Sequence, residues 1–144
     1  MQYLITYGSQ YGSTEMYAGG VIGLKSIAAK LSPDTQLIIA TVGLADVKDS
    51  ENIKNIRKSI QKQITEKIFS KAQIFHLRGA INYEKLNFKH KTMMAMLYAK
   101  AKRIPLEEQN AETKAMIETY GKKVDFIDFE SLKPVFVALQ GKLT

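Results

Sequence analysis

The first residues whose types and spacing could do chemistry lie in one short segment, residues 8–14 (GSQYGST). Two glycines permit tight backbone turns, and Ser9, Ser13 and Thr14 carry hydroxyl groups that can donate hydrogen bonds to an anion. The segment leads towards a predicted helix, whose first free N–H groups would favour the same negative charge. Its spacing differs from the Walker A loop and from the GxGxxG fingerprint, and the phosphate-binding lysine is absent. The residues therefore favour a single terminal monophosphate, while a turn that uses Gly and Ser only for conformation is the alternative.

Two further positions come directly after predicted strands. Residues 43–46 (GLAD) follow the second strand, where backbone N–H groups would face a ligand; a turn with a helix-capping aspartate is the alternative. Arg78 lies beside Gly79 at the end of the third strand and is expected to bind an anionic substrate group; a carboxylate or the neutral carbonyl oxygen of a quinone is its candidate acceptor. His76 lies within that strand, so a core or edge histidine is expected there rather than a catalytic base.

The composition excludes several kinds of chemistry. Of 144 residues, 45% are hydrophobic and 24% charged, which is typical of one globular domain, predicted to span residues 1–144. Cysteine is absent, which excludes disulfides, thiolate metal sites and cysteine nucleophiles, and with only two histidines no metal site is predicted. No apolar run approaches the roughly 20 residues of a membrane span, and no signal peptide precedes the first strand, so a cytoplasmic location is predicted.

The net charge of +7 is concentrated in one segment. Residues 85–103 contain six basic residues and no acidic one, which predicts a local basic face. The predicted helix 88–103 carries an apolar stripe, which consists of His90, Met93, Met94, Leu97, Tyr98 and Ala101. The stripe either packs into the core or makes a peripheral contact with the inner face of a membrane. Because no nucleic-acid motif accompanies the lysines, no specific nucleic-acid partner is predicted.

The elements that must position these residues follow from hydrophobic periodicity. Short apolar segments that each end at a glycine predict parallel strands over residues 3–7, 36–42 and 73–77. Helical spacing predicts helices over residues 21–31, from a cap at Asp49 or Ser50 to residue 64, over 88–103 and over 111–120. Residues 79–87 are predicted to be a loop. The tail, residues 124–143, alternates like a strand at first, but a loop followed by a Ser131-capped helix is expected. Alternating strands and helices predict an α/β fold with a parallel sheet and helices on both faces.

Several segments together resemble a known family. Residues 5–18 resemble the FMN-phosphate loop of flavodoxins, and residues 17–25, 41–46, 75–94 and 118–126 resemble the branch related to menaquinone-dependent protoporphyrinogen dehydrogenase. The resemblance implies a flavodoxin-like sheet with FMN as the cofactor. The cofactor-binding residues that it implies are Ser9, Gln10, Tyr11, Gly12, Ser13, Thr14, Tyr17, Ala18, Gly19, Gly43, Leu44, Ala45 and Asp46. Arg78 and His76 are the substrate candidates.

The first two of these segments overlap in this chain, whereas the family separates them by at least one βαβ unit. Tyr17 and Ala18 end the first segment and begin the second. A helix that began at Glu15 would carry Gly19 and Gly20, each about 1 kcal/mol less favourable than Ala, so the helix is expected to start only near residue 21. The sheet is therefore predicted to be reduced to about three strands.

Two functions from different classes remain open. The first is an FMN-binding electron-transfer protein or oxidoreductase, for which the resemblance implies a small redox partner and quinone- or porphyrinogen-linked chemistry. The second is a non-enzymatic domain without a complete flavin site, which acts by self-association or through its basic helix. A reduced sheet exposes an edge that a second copy would cover, so a homodimer is predicted.

Overall fold

A parallel sheet forms the centre of the fold. The computed structural model describes residues 3–9, of which only the backbone is considered, and residues 24–32 and 35–141. Within these ranges three strands pair in the order β1-β2-β3: β1 (Tyr3–Ser9), β2 (Gln36–Gly43) and β3 (Gln73–Arg78). Both pairings are parallel. The predicted α/β fold with a sheet of about three strands is confirmed, and each strand extends one or two residues beyond its predicted end.

Three helices cover one face of this sheet: α1 (Leu24–Ala28), α2 (Ser50–Gln61) and α3 (Glu66–Lys71). Leu37 and Ile39 of β2 pack into a core with Leu24 and Ile60. Because side chains alternate along a strand, Ile38 faces the opposite side, and it is only 1% exposed. Both faces of β2 are therefore buried, as its continuous apolar pattern predicts.

The boundaries of the first helices differ from the prediction. Within the described residues, the helix predicted over 21–31 ends at Ala28, because the N–H groups of Lys30 and Leu31 donate to carbonyls only three residues earlier and close a tighter turn. The cap at Asp49 is confirmed, since its side chain accepts a hydrogen bond from the Asn52 N–H. The helix predicted to reach residue 64 ends at Gln61, and Thr65 caps α3, a helix that was not predicted.

A second unit follows β3. It contains β4 (Ala80–Asn82), a 3₁₀ turn (Tyr83–Lys85), α4 (Phe88–Ala101), a second 3₁₀ turn (Leu106–Glu108), α5 (Ala111–Thr119) and β5 (Lys123–Asp125). The predictions of a loop over 79–87 and of a loop at the start of the tail are wrong at β4 and β5. These two strands pair antiparallel with each other across some forty residues of chain, so neither is evident from its own short segment.

The second unit has its own core, made by Leu44, Ile81, Tyr83 and Met94. Met94 is 1% exposed, and the other residues of the predicted α4 stripe are buried or half-buried, so the stripe packs into this core. Of the two alternatives for the stripe, the core packing is therefore confirmed, and a peripheral membrane contact through residues 88–103 stays a prediction. No helix within the described ranges is long and apolar enough to cross a membrane.

The chain closes with a third 3₁₀ turn (Phe129–Leu132) and α6 (Lys133–Gln140), which contacts β3. The predicted closing helix is confirmed, but its cap is not Ser131. That residue lies inside the 3₁₀ turn, which Asp128 caps by accepting a hydrogen bond from the Glu130 N–H. Pro134 lies in the first turn of α6, where its missing N–H costs nothing.

Candidate functional site

The carboxyl ends of the three parallel strands form one edge, where ligands bind in sheets of this kind. Ser9 at the end of β1 pairs with Val42, and Gly43 at the end of β2 pairs with Arg78 at the end of β3. Neighbouring strands lie about 4.8 Å apart, so the ends of β1 and β2 lie side by side at this edge. The predicted cofactor residues 10–14 and 17–19 lie outside the described residues, and only the backbone of Ser9 is described.

The segment after β2, residues 43–46, is anchored through its side chains. Leu44 is 2% exposed and packs against the second unit, and Ala45 is also buried. Asp46 accepts a hydrogen bond from the Lys48 N–H through its side chain, at 2.9 Å. The Asp46 carbonyl oxygen accepts from the buried Asn52 amide, at 3.3 Å. The segment is therefore held in one conformation, and Asp49 rather than Asp46 caps α2.

Four consecutive backbone N–H groups after β2, from Leu44 to Val47, donate no hydrogen bond among the described residues. Backbone N–H groups normally find a partner unless water or a ligand takes that role. These amides are therefore candidate donors to water or to a ligand, and the predicted contact of residues 43–46 with a flavin ring stays a prediction.

Arg78 binds this segment rather than facing away from the protein. Its Nε and Nη2 atoms donate hydrogen bonds to the Leu44 carbonyl oxygen, at 3.2 and 2.7 Å. The guanidinium carbon also lies 3.7 Å from the centre of the Phe126 ring, in the position of a cation–π contact. Arg78 thus acts as a clamp between residues 43–46 and the end of β5. The role predicted for it, binding a substrate anion, stays a prediction that concerns its remaining donors.

The neighbouring residue, Gly79, completes the clamp through its backbone. Its N–H donates to the Gly43 carbonyl at 2.8 Å, and its carbonyl accepts from the Phe126 N–H at 3.1 Å. Arg78, the last residue of β3, and Gly79, which follows it, therefore join the end of β2 to the second unit. Packing in that unit can in this way determine the conformation of residues 43–46.

His76 lies two strand positions before the edge and pairs with Thr41 of β2. Its Nδ1 atom lies 2.6 Å from Oγ1 of Thr41, and the Thr41 hydroxyl lies 3.4 Å from the Phe75 carbonyl oxygen. A proton on Nδ1 would donate to Thr41, which would donate to Phe75; Nε2, buried without a partner among the described residues, would then carry only a lone pair. Burial, with a smaller contribution from the nearby Arg57 charge, lowers the pKa of His76, so the ring is neutral at pH 7.

Sequence reasoning missed Thr41, Gly79 and Phe126 as parts of this site. Thr41 could have been found from the strand register, since it lies opposite His76. Phe126 stands in the alternating tail pattern, but its contact with Arg78 depends on the β4–β5 pairing, which no local pattern shows.

A family model described as a flavodoxin domain matches residues 24–105, which is more than half of the chain. The chain belongs to the flavodoxin domain family. Comparisons with curated proteins and with solved structures found no match. The flavodoxin domain match includes residues 43–46, His76 and Arg78, and it begins after the segment that resembles the phosphate loop.

Flavodoxin domains generally bind FMN, so the described residues can be tested for their fit to that cofactor. The pyrimidine edge of a flavin presents mainly hydrogen-bond acceptors, and the row of free amides from Leu44 to Val47 presents donors. The Leu44 carbonyl oxygen would repel those acceptors, but it accepts a hydrogen bond from Arg78. The donor chemistry of residues 44–47 therefore fits a flavin ring.

Proposed function

We propose that this flavodoxin domain binds FMN and transfers electrons, as an electron-transfer protein or an oxidoreductase. Residues 9–14 would hold the phosphate, while residues 17–19 and 43–46 would hold the ring. The observation that carries the proposal is the pairing of Ser9 with Val42, which starts both segments at neighbouring positions of one sheet edge. The flavin, when bound, supplies the redox chemistry, and the chain supplies placement and hydrogen-bond donors.

Arg78 has a defined part in this proposal. It donates two hydrogen bonds to the Leu44 carbonyl oxygen and so would fix the backbone of residues 43–46 for contact with the ring. Its charge also lies close to that segment, where it would favour negative charge on the bound ring. We assign it as a positioning residue for the cofactor.

The finer proposal concerns the electron partner, a quinone or a porphyrinogen. It is supported by the resemblance of residues 75–94 and 118–126 to the protoporphyrinogen dehydrogenase branch. In the fold, these segments contribute β4, α4 and β5 to the second unit, next to residues 43–46. A substrate-binding role for the second unit would place the partner beside the flavin.

The test is a titration of the purified chain with FMN, followed by flavin fluorescence quenching. We expect stoichiometric binding, and we expect Ser9→Ala combined with Thr14→Val to weaken it without lowering the melting temperature. Ser70→Ala, an exposed serine on α3, is the matched control and should leave binding unchanged. If wild-type protein neither carries nor binds FMN, the proposal is wrong and the non-enzymatic alternative stands.

We also propose a homodimer, for which α6 and the turn before it provide support. Four large apolar residues there are between 51% and 77% exposed: Ile127, Phe129, Phe136 and Val137. Glu130 and Lys133 between them form an ion pair with each other, so a second copy meets an apolar surface that keeps only the charge of Asp128. Light scattering should give the mass of a dimer, and Phe129→Ser with Phe136→Ser should give a folded monomer. A monomeric wild-type protein at micromolar concentration would contradict the proposal.

A further inference from the structure

Helix α4 presents a second apolar face, on the side away from its core stripe. At 100° per residue, five residues fall within an arc of about 100° opposite Met94. They are Phe88, Thr92, Ala95, Met96 and Ala99, and together they are called the α4 outer face. All five are exposed, with Phe88 at 86% and Met96 at 70%. A helix on a protein surface normally places polar residues there, so this face is unusual.

The one polar side chain on the outer face is satisfied within the helix. The Thr92 hydroxyl donates to the Phe88 carbonyl oxygen at 3.0 Å. This bond leaves no unpaired donor on the face, and the threonine methyl group remains as apolar surface. The α4 outer face can therefore enter an apolar environment without burying an unsatisfied hydroxyl.

Lysines border the α4 outer face on both sides. By helical position, Lys89 and Lys100 lie along one border, and Lys91 lies along the other; all three are exposed. No acidic residue occurs between positions 85 and 103, where three further basic residues lie, Lys85, Lys102 and Arg103. Apolar side chains between flanking lysines form the pattern of a helix that lies in the plane of a membrane surface.

We propose that the α4 outer face binds an anionic lipid surface. Phe88 and Met96 would enter the headgroup region, and the flanking lysines would contact the negatively charged headgroups. A second copy does not fit this face, because it would bring lysine borders together with no acid between them. An acidic protein would match the charge but would need a groove for a single convex helix, whereas a lipid surface needs none. The proposal does not depend on flavin binding.

The test uses the full chain, which contains no tryptophan, so single replacements provide unique reporters. Phe88→Trp and Met96→Trp report on the α4 outer face, and Leu106→Trp in the second 3₁₀ turn is the matched control at a similarly exposed position. Vesicles of phosphatidylcholine with about a third of phosphatidylglycerol are compared with pure phosphatidylcholine. We expect a blue shift of both α4 reporters, and quenching by brominated lipid, only with the anionic vesicles and only at low to moderate salt. The control reporter should not respond.

Charge variants test the lysine borders separately. Lys89→Gln with Lys100→Gln should weaken vesicle binding about thirtyfold, which corresponds to roughly 1 kcal/mol for each lysine near an anionic surface. Lys62→Gln with Lys67→Gln removes the same charge from the end of α2 and from α3 and should change binding little. The proposal is overturned if the α4 reporters ignore anionic vesicles, if both pairs of lysine variants weaken binding equally, or if the reporters respond only to an acidic polypeptide. That last result would assign the face to an acidic protein.

Discussion

Gly79 packs against Val42 so closely that a Cβ atom on it would lie 2.8 Å from Val42 Cγ1. Gly79 is also the residue whose N–H and carbonyl join β2 to the second unit, so neither partner can move freely. We therefore expect Gly79→Ala to lower the free energy of unfolding by about 1–3 kcal/mol through overpacking. Urea denaturation measures this change.

The matched test is a double-mutant cycle with Val42→Ala, which removes the methyl group that the new Cβ would meet. The pair should be less destabilised than the sum of the single variants, by at least about 0.5 kcal/mol. Strict additivity would show that the close approach of these two residues is not the cause.

Arg78 is expected to matter for stability and for the cofactor in different ways. Arg78→Gln removes the charged hydrogen bonds to Leu44 and the contact with Phe126, which should cost about 1.5–3 kcal/mol of unfolding free energy. It should also weaken FMN binding and lower the midpoint potential of the bound flavin, because a positive charge is lost. Arg78→Lys keeps the charge but not the two-donor geometry.

The two Arg78 variants therefore distinguish the effect of the positive charge from the effect of the two-donor hydrogen-bond geometry. We expect Arg78→Lys to keep most of the wild-type midpoint potential, which Arg78→Gln lowers, but to keep little of the wild-type FMN affinity. If both variants lose stability while FMN affinity and potential stay at the wild-type values, Arg78 has a structural role only.

The sequence predicted the parallel sheet because β2 and β3 are short, apolar and terminated by glycine, a pattern that local chemistry determines. It also predicted residues 43–46 as part of the site, since strand ends define the ligand edge. The clamp made by Arg78 was not predictable in the same way. Its acceptor on Leu44 lies 34 residues away, and Phe126 reaches it only because β4 and β5 pair. Contacts that depend on the pairing of such distant segments produce no periodic pattern of residues in the sequence.

Glu112 in the first turn of α5 is expected to destabilise the fold at neutral pH. Burial raises the pKa of its carboxyl group above the usual value of 4.5. Its stabilising contribution is therefore complete below about pH 4.5 and is lost as the pH rises through the folded-state pKa.

Glu112→Gln should raise the melting temperature at pH 7, and this gain should vanish near pH 4. Glu118→Gln, exposed on the same helix, is the control. A lower melting temperature for Glu112→Gln at pH 7 would contradict the burial argument.

Tyr83 places a hydroxyl group in the second core without a hydrogen-bond partner among the described residues. Burial, with a smaller contribution from Tyr120, raises the pKa of Tyr83 to about 12. The Tyr83 ring also packs edge-on against Tyr120, with 5.2 Å between ring centres. Tyr83→Phe keeps that packing and removes the unpaired hydroxyl, so we expect the variant to be as stable as wild type or more stable, by about 1 kcal/mol.

The comparison for Tyr83 is Tyr83→Leu, which loses the aromatic contact and should be less stable by about 1–3 kcal/mol. If the Phe variant is instead destabilised by a similar amount, the Tyr83 hydroxyl has a partner in the folded protein. Thermal unfolding of the three proteins distinguishes these results.

The lowered pKa of His76 predicts how the free energy of unfolding depends on pH near neutrality. Burial lowers its pKa below 6.5, so the unfolded chain binds a proton more readily than the folded one. The contribution of His76 to stability is complete above pH 6.5 and is lost as the pH falls towards the folded-state pKa. Between about pH 7.5 and 5.5 the unfolding free energy should therefore fall, by at most about 1.4 kcal/mol per pH unit from this group. His76→Gln, which can still bond Thr41, should reduce that slope, and His90→Gln corrects for the loss of one imidazole ring. An unchanged slope in His76→Gln would mean that His76 takes up its proton as easily in the folded state as in the unfolded chain.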